Sequence, residues 1–320
     1  MIEYFLLIVG LIALIKGADF LIDGSSSLAK KLGISTLVIG LTVVAFGTST
    51  PELVVNIFAA FAGNGDIAFG NIIGSNMANI LLILGVCALI TQMKIQHSTI
   101  WKEIPLAFIA VLVVFIFSNV LFLDNIDIKF LTRSEGLILI VFFIIFLSYV
   151  YSMAKSDKSK KNENEEIKAL SNFKTWLYIL GGLVALYFGG QWTVNSATTI
   201  ARSLGISEFL IASTIIAVGT SLPELVTSVK AAMKNNIDLA VGNVVGSNIF
   251  NVLWILGITA VINPVMFPKF IVFDLIMLLV TTGALFAFIF IGKRYYLTKL
   301  EGIAFLLLYL IYLVIIILRG

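Results

Sequence analysis

The chain has 320 residues, 60% of them hydrophobic and only 12% charged, with a formal net charge of +3 and a mean hydropathy of +1.08. About a quarter of the residues in a soluble domain are charged, so this composition excludes one and leaves an integral membrane protein. Cys87 is the only cysteine and His97 the only histidine, so an intrachain disulfide is excluded and the redox compartment stays open.

Ten apolar runs follow one another, each long enough, at roughly 20 residues, to cross a bilayer as a helix. The first, about 2–22, has neither a basic leading region nor a small-residue cleavage pattern and reads as a retained helix. Its Lys16 can snorkel or pair with Asp19. The second, 34–61, carries Gly47-Thr48-Ser49-Thr50-Pro51-Glu52, and the third, 67–90, carries Gly70-Asn71-Ile72-Ile73-Gly74-Ser75-Asn76. The fourth and fifth, 103–123 and 134–153, precede a stretch at 154–173 that is dense in Lys, Glu, Asn and Ser and reads as a solvated linker. The sixth run is 174–197. The seventh, 206–232, repeats the first motif as Gly219-Thr220-Ser221-Leu222-Pro223-Glu224, and the eighth, 238–262, repeats the second as Gly242-Asn243-Val244-Val245-Gly246-Ser247-Asn248. Runs 269–292 and 299–319 complete the set, and the short connections leave no room for a sizeable soluble domain.

Residues 4–90 align with 176–262 without a gap at one offset (224 − 52 = 172; 243 − 71 = 172), and about two in five positions are identical. The expected fold is therefore all-α, with ten transmembrane helices: a first five-helix repeat over 1–153, a cytoplasmic charged linker over 154–173 and a second repeat over 174–320. Five spans is an odd number, so the second repeat enters the membrane from the opposite side, and the repeats are inverted about an axis in the membrane plane. With the N-terminus outside, the inside loops hold about fifteen Lys and Arg against about five outside. Positive charge favours the cytoplasmic face, so both termini are expected outside a multi-pass protein of the cell membrane.

Glu52 and Glu224 each lie deep in an apolar run. A charge at the centre of an inserted helix costs about 2.5–3.5 kcal/mol on insertion scales, so two of them in repeated motifs imply a function. No Arg or Lys lies at similar depth in the four motif-bearing segments, and Lys16 is the only basic candidate in the first span. A bound cation is the simpler counter-charge. Pro51 and Pro223, if inside helices, free the carbonyls of Gly47 and Gly219, and irregular backbone at membrane depth is tolerated where it lines a cavity. The hydroxyls of Thr48, Ser49, Thr220 and Ser221 add neutral oxygens, and Thr48 lies four residues before Glu52, on one helical face. Asn71, Ser75 and Asn79, and likewise Asn243, Ser247 and Asn251, recur at spacing four and form polar stripes. Gly70, Gly74, Gly242 and Gly246 permit close helix approach. Asn71 and Asn243 fit either interhelical hydrogen bonding or ligation. Asn76 and Asn248 read as structural, and Ser75, Asn79, Ser247 and Asn251 read as ligands. Asp19 and Asp23 have Gln191 and Asn195 at the repeated positions and read as helix-end or entry-path residues. Hard oxygen donors suit calcium, and sodium, of similar size, can use the same oxygens. Two carboxylates balance one divalent ion or two monovalent ones, which makes exchange between them natural.

The Gly-Thr-Ser-x-Pro-Glu and Gly-Asn-x-x-Gly-Ser-Asn motifs, each present twice, resemble those of the calcium/cation antiporter superfamily, the prokaryotic type of sodium/calcium exchanger in particular. The resemblance implies a site among the second, third, seventh and eighth helices built from Thr48, Ser49, Glu52, Ser75, Asn79, Thr220, Ser221, Glu224, Ser247 and Asn251, with the carbonyls of Ala45 and Ala217 helping to ligate sodium. It also implies that the first and sixth helices slide against the other eight. Many members of the family carry Asp where this chain has Asn251, so the two glutamates here are the only charged ligands. The expected activity is alternating-access antiport of sodium against calcium. A proton- or potassium-coupled divalent exchanger on the same scaffold is the alternative, and a cation channel is a rival of another class. Calcium, sodium and the lipid bilayer are the expected partners, with no cofactor, no nucleic acid and a monomer as the working unit. No paired Asp, Ser/His or His-Glu-x-x-His constellation suggests an enzyme.

Overall fold

The computed structural model of the protein describes residues 2–118, 130–159, 170–205 and 217–319. Its long helices are α1 (Ile2–Leu32), α2 (Thr36–Thr48), α3 (Thr50–Ala62), α4 (Gly65–Ile90), α5 (Thr99–Ser118), α6 (Arg133–Ser159), α7 (Asn172–Ser203), α8 (Leu222–Met233), α9 (Ile237–Ile262), α10 (Ile271–Phe288) and α11 (Lys299–Arg319). Among the described residues, eight helices are long and apolar enough to cross a membrane. The pair α2–α3, bent by 48°, makes a ninth. Of the expected run 206–232, residues 206–216 lie outside the described part, and the remainder forms α8 after a single turn at Ala217–Gly219. Residues 160–169 of the expected linker also lie outside it.

Local chemistry sets the helix ends. Asn64 caps α4, its side chain accepting from the Ile67 amide, and Asn236 caps α9 by accepting from the Leu239 amide; both supply an acceptor for an otherwise orphaned N–H. Gly63, at φ +65°, ends α3 in the left-handed conformation that glycine adopts without steric cost. The first helix runs ten residues past the end expected from hydropathy, because its last turns do not face lipid. Ser25, Ser26 and Ser27 are buried; Ser27 and Thr175 share a hydrogen bond, and Lys31 donates to Asn172 and Thr175 at the start of α7.

Two helices form the centre. In α4 and α9, 78% of the spanning window is buried, against 22–39% in the other long spans. Each contains a π turn, at Ala78–Ile83 and Phe250–Ile255, 172 residues apart. Around them, α2 and α3 pack on α9 and α4, α8 packs on α9, and α6 and α11 cover the far ends of α9 and α4. Two miniature sheets lock the ends. Met93–Lys94 pairs with Tyr296–Leu297, and Phe130–Leu131 with Val265–Met266, both antiparallel. Hydropathy gives no sign of these four two-residue strands.

The α1–α7 pair forms a separate seam on the flank. Gly10, Gly17 and Gly24 recur every seven residues on α1 and meet α7 around Gly189, Gly182 and Ile179, so the two helices run antiparallel in backbone contact. A Cβ on Gly17 would lie 2.9 Å from the Gly182 carbonyl oxygen, and one on Gly189 would lie 2.8 Å from the Leu14 nitrogen. Small residues allow this approach where lipid supplies no hydrophobic drive. Gly17→Leu should therefore lower the melting temperature in detergent by an amount corresponding to about 1–3 kcal/mol. Gly181→Leu, which adds a side chain where no atom lies within 4 Å, should leave it unchanged. Equal melting temperatures for all three proteins would contradict this packing.

Candidate cation-binding site

The break between α2 and α3 falls at Ser49 (φ −83°, ψ 11°), and the one before α8 falls at Ser221 (φ −86°, ψ 7°). Pro51 and Pro223 lie in the first turn of the helices that follow, where a missing N–H is harmless. The irregular backbone expected at the prolines is present, as a break between two helices rather than a distortion within one. Each glutamate consequently sits in the first turn of a helix, where the aligned peptide dipoles favour a negative charge. Thr48 and Glu52 are separated by the break, and among the described residues no hydrogen bond joins their side chains. Thr48 Oγ1 donates instead to the Ala45 carbonyl (3.4 Å) and to Asn243 Oδ1 (3.0 Å).

The two motifs interlock across the molecule. Ser49 Oγ donates to Glu224 Oε1 at 2.8 Å, and Ser221 Oγ donates to Glu52 Oε1 at 3.4 Å. Ser75 Oγ, from α4, also donates to Glu52 Oε1 (3.3 Å) and lies 3.5 Å from Thr220 Oγ1. Both carboxylates are buried, as are Thr48, Ser49, Ser75, Asn79, Ser221, Ser247 and Asn251. Asn71 Nδ2 donates to the Glu52 carbonyl and to Asn56 Oδ1, while Asn243 Nδ2 donates to the Glu224 carbonyl and to Ser228 Oγ. Of the two readings open for Asn71 and Asn243, the observed contacts are those of interhelical bracing. Ala45 is buried beside Thr48. Ala217 opens the turn before the second break, and its side chain lies outside the described residues.

Five oxygens in this region are buried without a hydrogen-bond partner: Glu52 Oε2, Glu224 Oε2, Asn79 Oδ1, Asn251 Oδ1 and Ser247 Oγ. Buried polar atoms are ordinarily paired, and these five, on four elements, are oxygens of the kind a hard cation takes as ligands. Among the described residues no group of three or more His, Cys, Asp and Glu comes together. Any cation held here would therefore rely on neutral oxygens around two carboxylates.

The two ends of the α1–α7 seam carry different side chains. A cavity of about 140 Å³ reaches the Pro51 and Pro223 turns and is lined on α7 by Tyr187, Gln191 and Asn195. Asp19 and Asp23, the repeat equivalents of Gln191 and Asn195, lie on the order of 20 Å further along the antiparallel seam, at a rise of about 1.5 Å per residue. At that end Lys230 Nζ lies 3.2 Å from Asp19, and Lys234 Nζ lies 3.3 Å from Asp19 and 2.7 Å from Asp23. Asp19 thus pairs with these lysines rather than with Lys16. The i, i+4 spacing of both pairs was visible in the sequence, but their meeting across more than 200 residues was not.

The sequence profile described as sodium/calcium exchanger protein matches residues 2–152 and 174–318. The sodium/calcium exchanger MaX1 of Methanosarcina acetivorans is 30% identical over 345 residues, covering 98% of each chain. Inner membrane protein YrbG of Escherichia coli is 35% identical over 266 residues, 81% of this chain and 79% of that one. Among solved structures, that of the sodium-calcium exchanger NCX_Mj soaked with 2.5 mM Na+ and 0.1 mM Ca2+ superposes with a TM-score of 0.81 at 29% identity, covering 97% of both chains. The resemblance carried by the doubled motifs is thereby borne out over nearly the full length. With its array of apolar membrane-capable helices and a family match that spans both halves, the chain is a multi-pass membrane protein belonging to the sodium/calcium exchanger family of cation antiporters.

Proposed function

We propose that this protein exchanges sodium for calcium by alternating access through a single site built around Glu52 and Glu224. The observation that carries the reading is the pair of buried carboxylates, each with one oxygen bonded to a serine of the opposite motif and the other without a partner. One calcium ion or two sodium ions neutralise that pair. In this reading Thr48, Ser49, Ser75, Asn79, Thr220, Ser221, Ser247, Asn251 and the carbonyls of Ala45 and Ala217 complete the ligand sets. Occupancy by either cargo permits occlusion, because a desolvated and uncompensated pair of carboxylates is costly.

The same proposal takes the chain as ten spanning helices in two inverted repeats, the segment ahead of α8 completing the tenth, with the 154–173 linker inside the cell and both termini outside. The unbroken sequence repeat and the charge bias support this. The functional unit is a single chain, since all the proposed ligands come from it. The cavity beside Gln191 and Asn195 and the ion pairs at Asp19 and Asp23 then correspond to a site open to the outside and latched within. Exchange between states moves the α1–α7 pair as one body past α8, which requires these ion pairs to part.

Sodium-loaded proteoliposomes diluted into sodium-free buffer should take up radiocalcium. Glu52→Gln and Glu224→Gln, which keep hydrogen-bonding capacity without charge, should reduce uptake to the level of empty vesicles. Uptake that ignores the sodium gradient but follows a pH or potassium gradient would reassign the coupling ion, and a sodium-independent conductance would point to a channel. The latch has its own test. In a Cys87→Ser background, an Asn195→Cys probe should react with an impermeant maleimide added from outside. Lys234→Ala should slow that reaction by up to about fivefold, since half-exposed ion pairs contribute roughly 0.2–1 kcal/mol. An unchanged rate would show that the pairs do not bias the equilibrium.

A further inference from the structure

We infer that Asn76 and Asn248, which touch neither glutamate, are positioning residues that orient the amides of Asn251 and Asn79 so that their oxygens face the ions. The inference rests on the proposed cation site and deepens it.

The argument starts from a group that can only accept. Asn76 Nδ2 donates to the backbone carbonyl of Asn248 at 3.2 Å. A carbonyl has no proton to give, so this bond fixes which way round the Asn76 amide lies. Its Oδ1 must then point the other way, and it meets Asn251 Nδ2 at 2.9 Å. Because Asn76 presents an acceptor, residue 251 has to present a donor, and the second atom of the Asn251 amide, Oδ1, is left buried with no protein partner. In the other half the amide pair recurs, though among the described residues it lacks the carbonyl anchor: Asn79 Nδ2 donates to Asn248 Oδ1 at 2.9 Å, and Asn79 Oδ1 is likewise buried and unpartnered. Asn76, Asn79 and Asn251 are at most 1% exposed and Asn248 is 5% exposed, so bulk solvent does not compete for the amides.

Asn79 and Asn251 sit inside the π turns of α4 and α9, while Asn76 and Asn248 lie in the regular helix just before them. The π turn swings each proposed ligand out of its own helical register and toward the facing helix. There the amide from the other half catches its N–H₂. The chain of bonds also bears on charge. An ionised aspartate at 251 would set carboxylate oxygens against Asn76 Oδ1, so this contact favours a side chain that donates, an amide or a protonated carboxyl. Outer partners of this kind commonly change ion affinity about 10–100-fold when lost.

The full-length protein in proteoliposomes provides the test, with the KM for calcium and the maximal rate of sodium-driven uptake measured for Asn76→Leu, Asn251→Ala and the double variant. Each single variant should raise KM about 10–100-fold with a smaller effect on maximal rate, and the double variant should be no worse than Asn251→Ala alone. A wild-type KM in Asn76→Leu, or fold-changes that multiply in the double variant, would overturn the inference while leaving the site intact. A wild-type KM in Asn251→Ala would instead remove Asn251 from the ligand set, and both the site reading and the inference would fall at that position. Should Asn76→Leu not give monodisperse protein, the mirror cycle of Asn248→Leu with Asn79→Ala decides by the same criteria, because Asn248→Leu retains the carbonyl that anchors Asn76.

Discussion

Two carboxylates held in the interior of a membrane protein are the constraint on which the rest of this architecture depends. Lipid offers no hydrogen bonds, so every polar atom brought with Glu52 and Glu224 has to be satisfied by protein or by cargo. The chain meets most of that demand by exchange: the serine of each broken helix bonds the glutamate of the other, and the asparagines of the two central helices bond one another. The backbone breaks, the π turns and the glycines in close backbone contact follow from bringing four polar segments into a space that side chains of ordinary size would fill.

The site is close to symmetric, but the route to it is not. Residues that contact the glutamates recur at the same offset in both halves, whereas Asp19 and Asp23 face Lys230 and Lys234 at one end and their equivalents, Gln191 and Asn195, line a cavity at the other. In the proposed exchange cycle the ion gradients set the direction of transport, and such a difference biases only the resting state. The ligands can treat both sides alike while the closing surfaces set which side is closed at rest.

The doubled motifs were legible because their chemistry is rare in an apolar chain and because a repeat at an offset of 172 residues survives at about two positions in five. The polar stripes were legible too, since a period of four on a helix is a geometric statement. Other features depended on tertiary structure. Pro51 predicted irregular backbone, but only the fold shows that a new helix begins there, with the proline harmless in its first turn. Asn76 looked structural because it lies off the Asn71–Ser75–Asn79 stripe, and its partner is 175 residues away. Glu103, buried on α5 and bonded to the Tyr149 hydroxyl of α6, attracted no attention in the sequence, as nothing in the other half repeats it. Its second oxygen is also unpartnered.

The miniature sheets have a bearing on how such a chain could have arisen. The strand after α4 pairs with the strand before α11, and the strand after α9 pairs with the strand before α6. Gly85 meets Gly302 and Gly136 meets Gly257 in the same exchanged fashion. Neither half therefore closes its own edges; each supplies the hem that finishes the other. An ancestor consisting of one unit would have had to find a second copy of itself in the membrane before it had a finished surface. Fusing the two genes would then have made a permanent partner of what had been a chance encounter, and freed the ends of the molecule to diverge while the shared middle stayed paired.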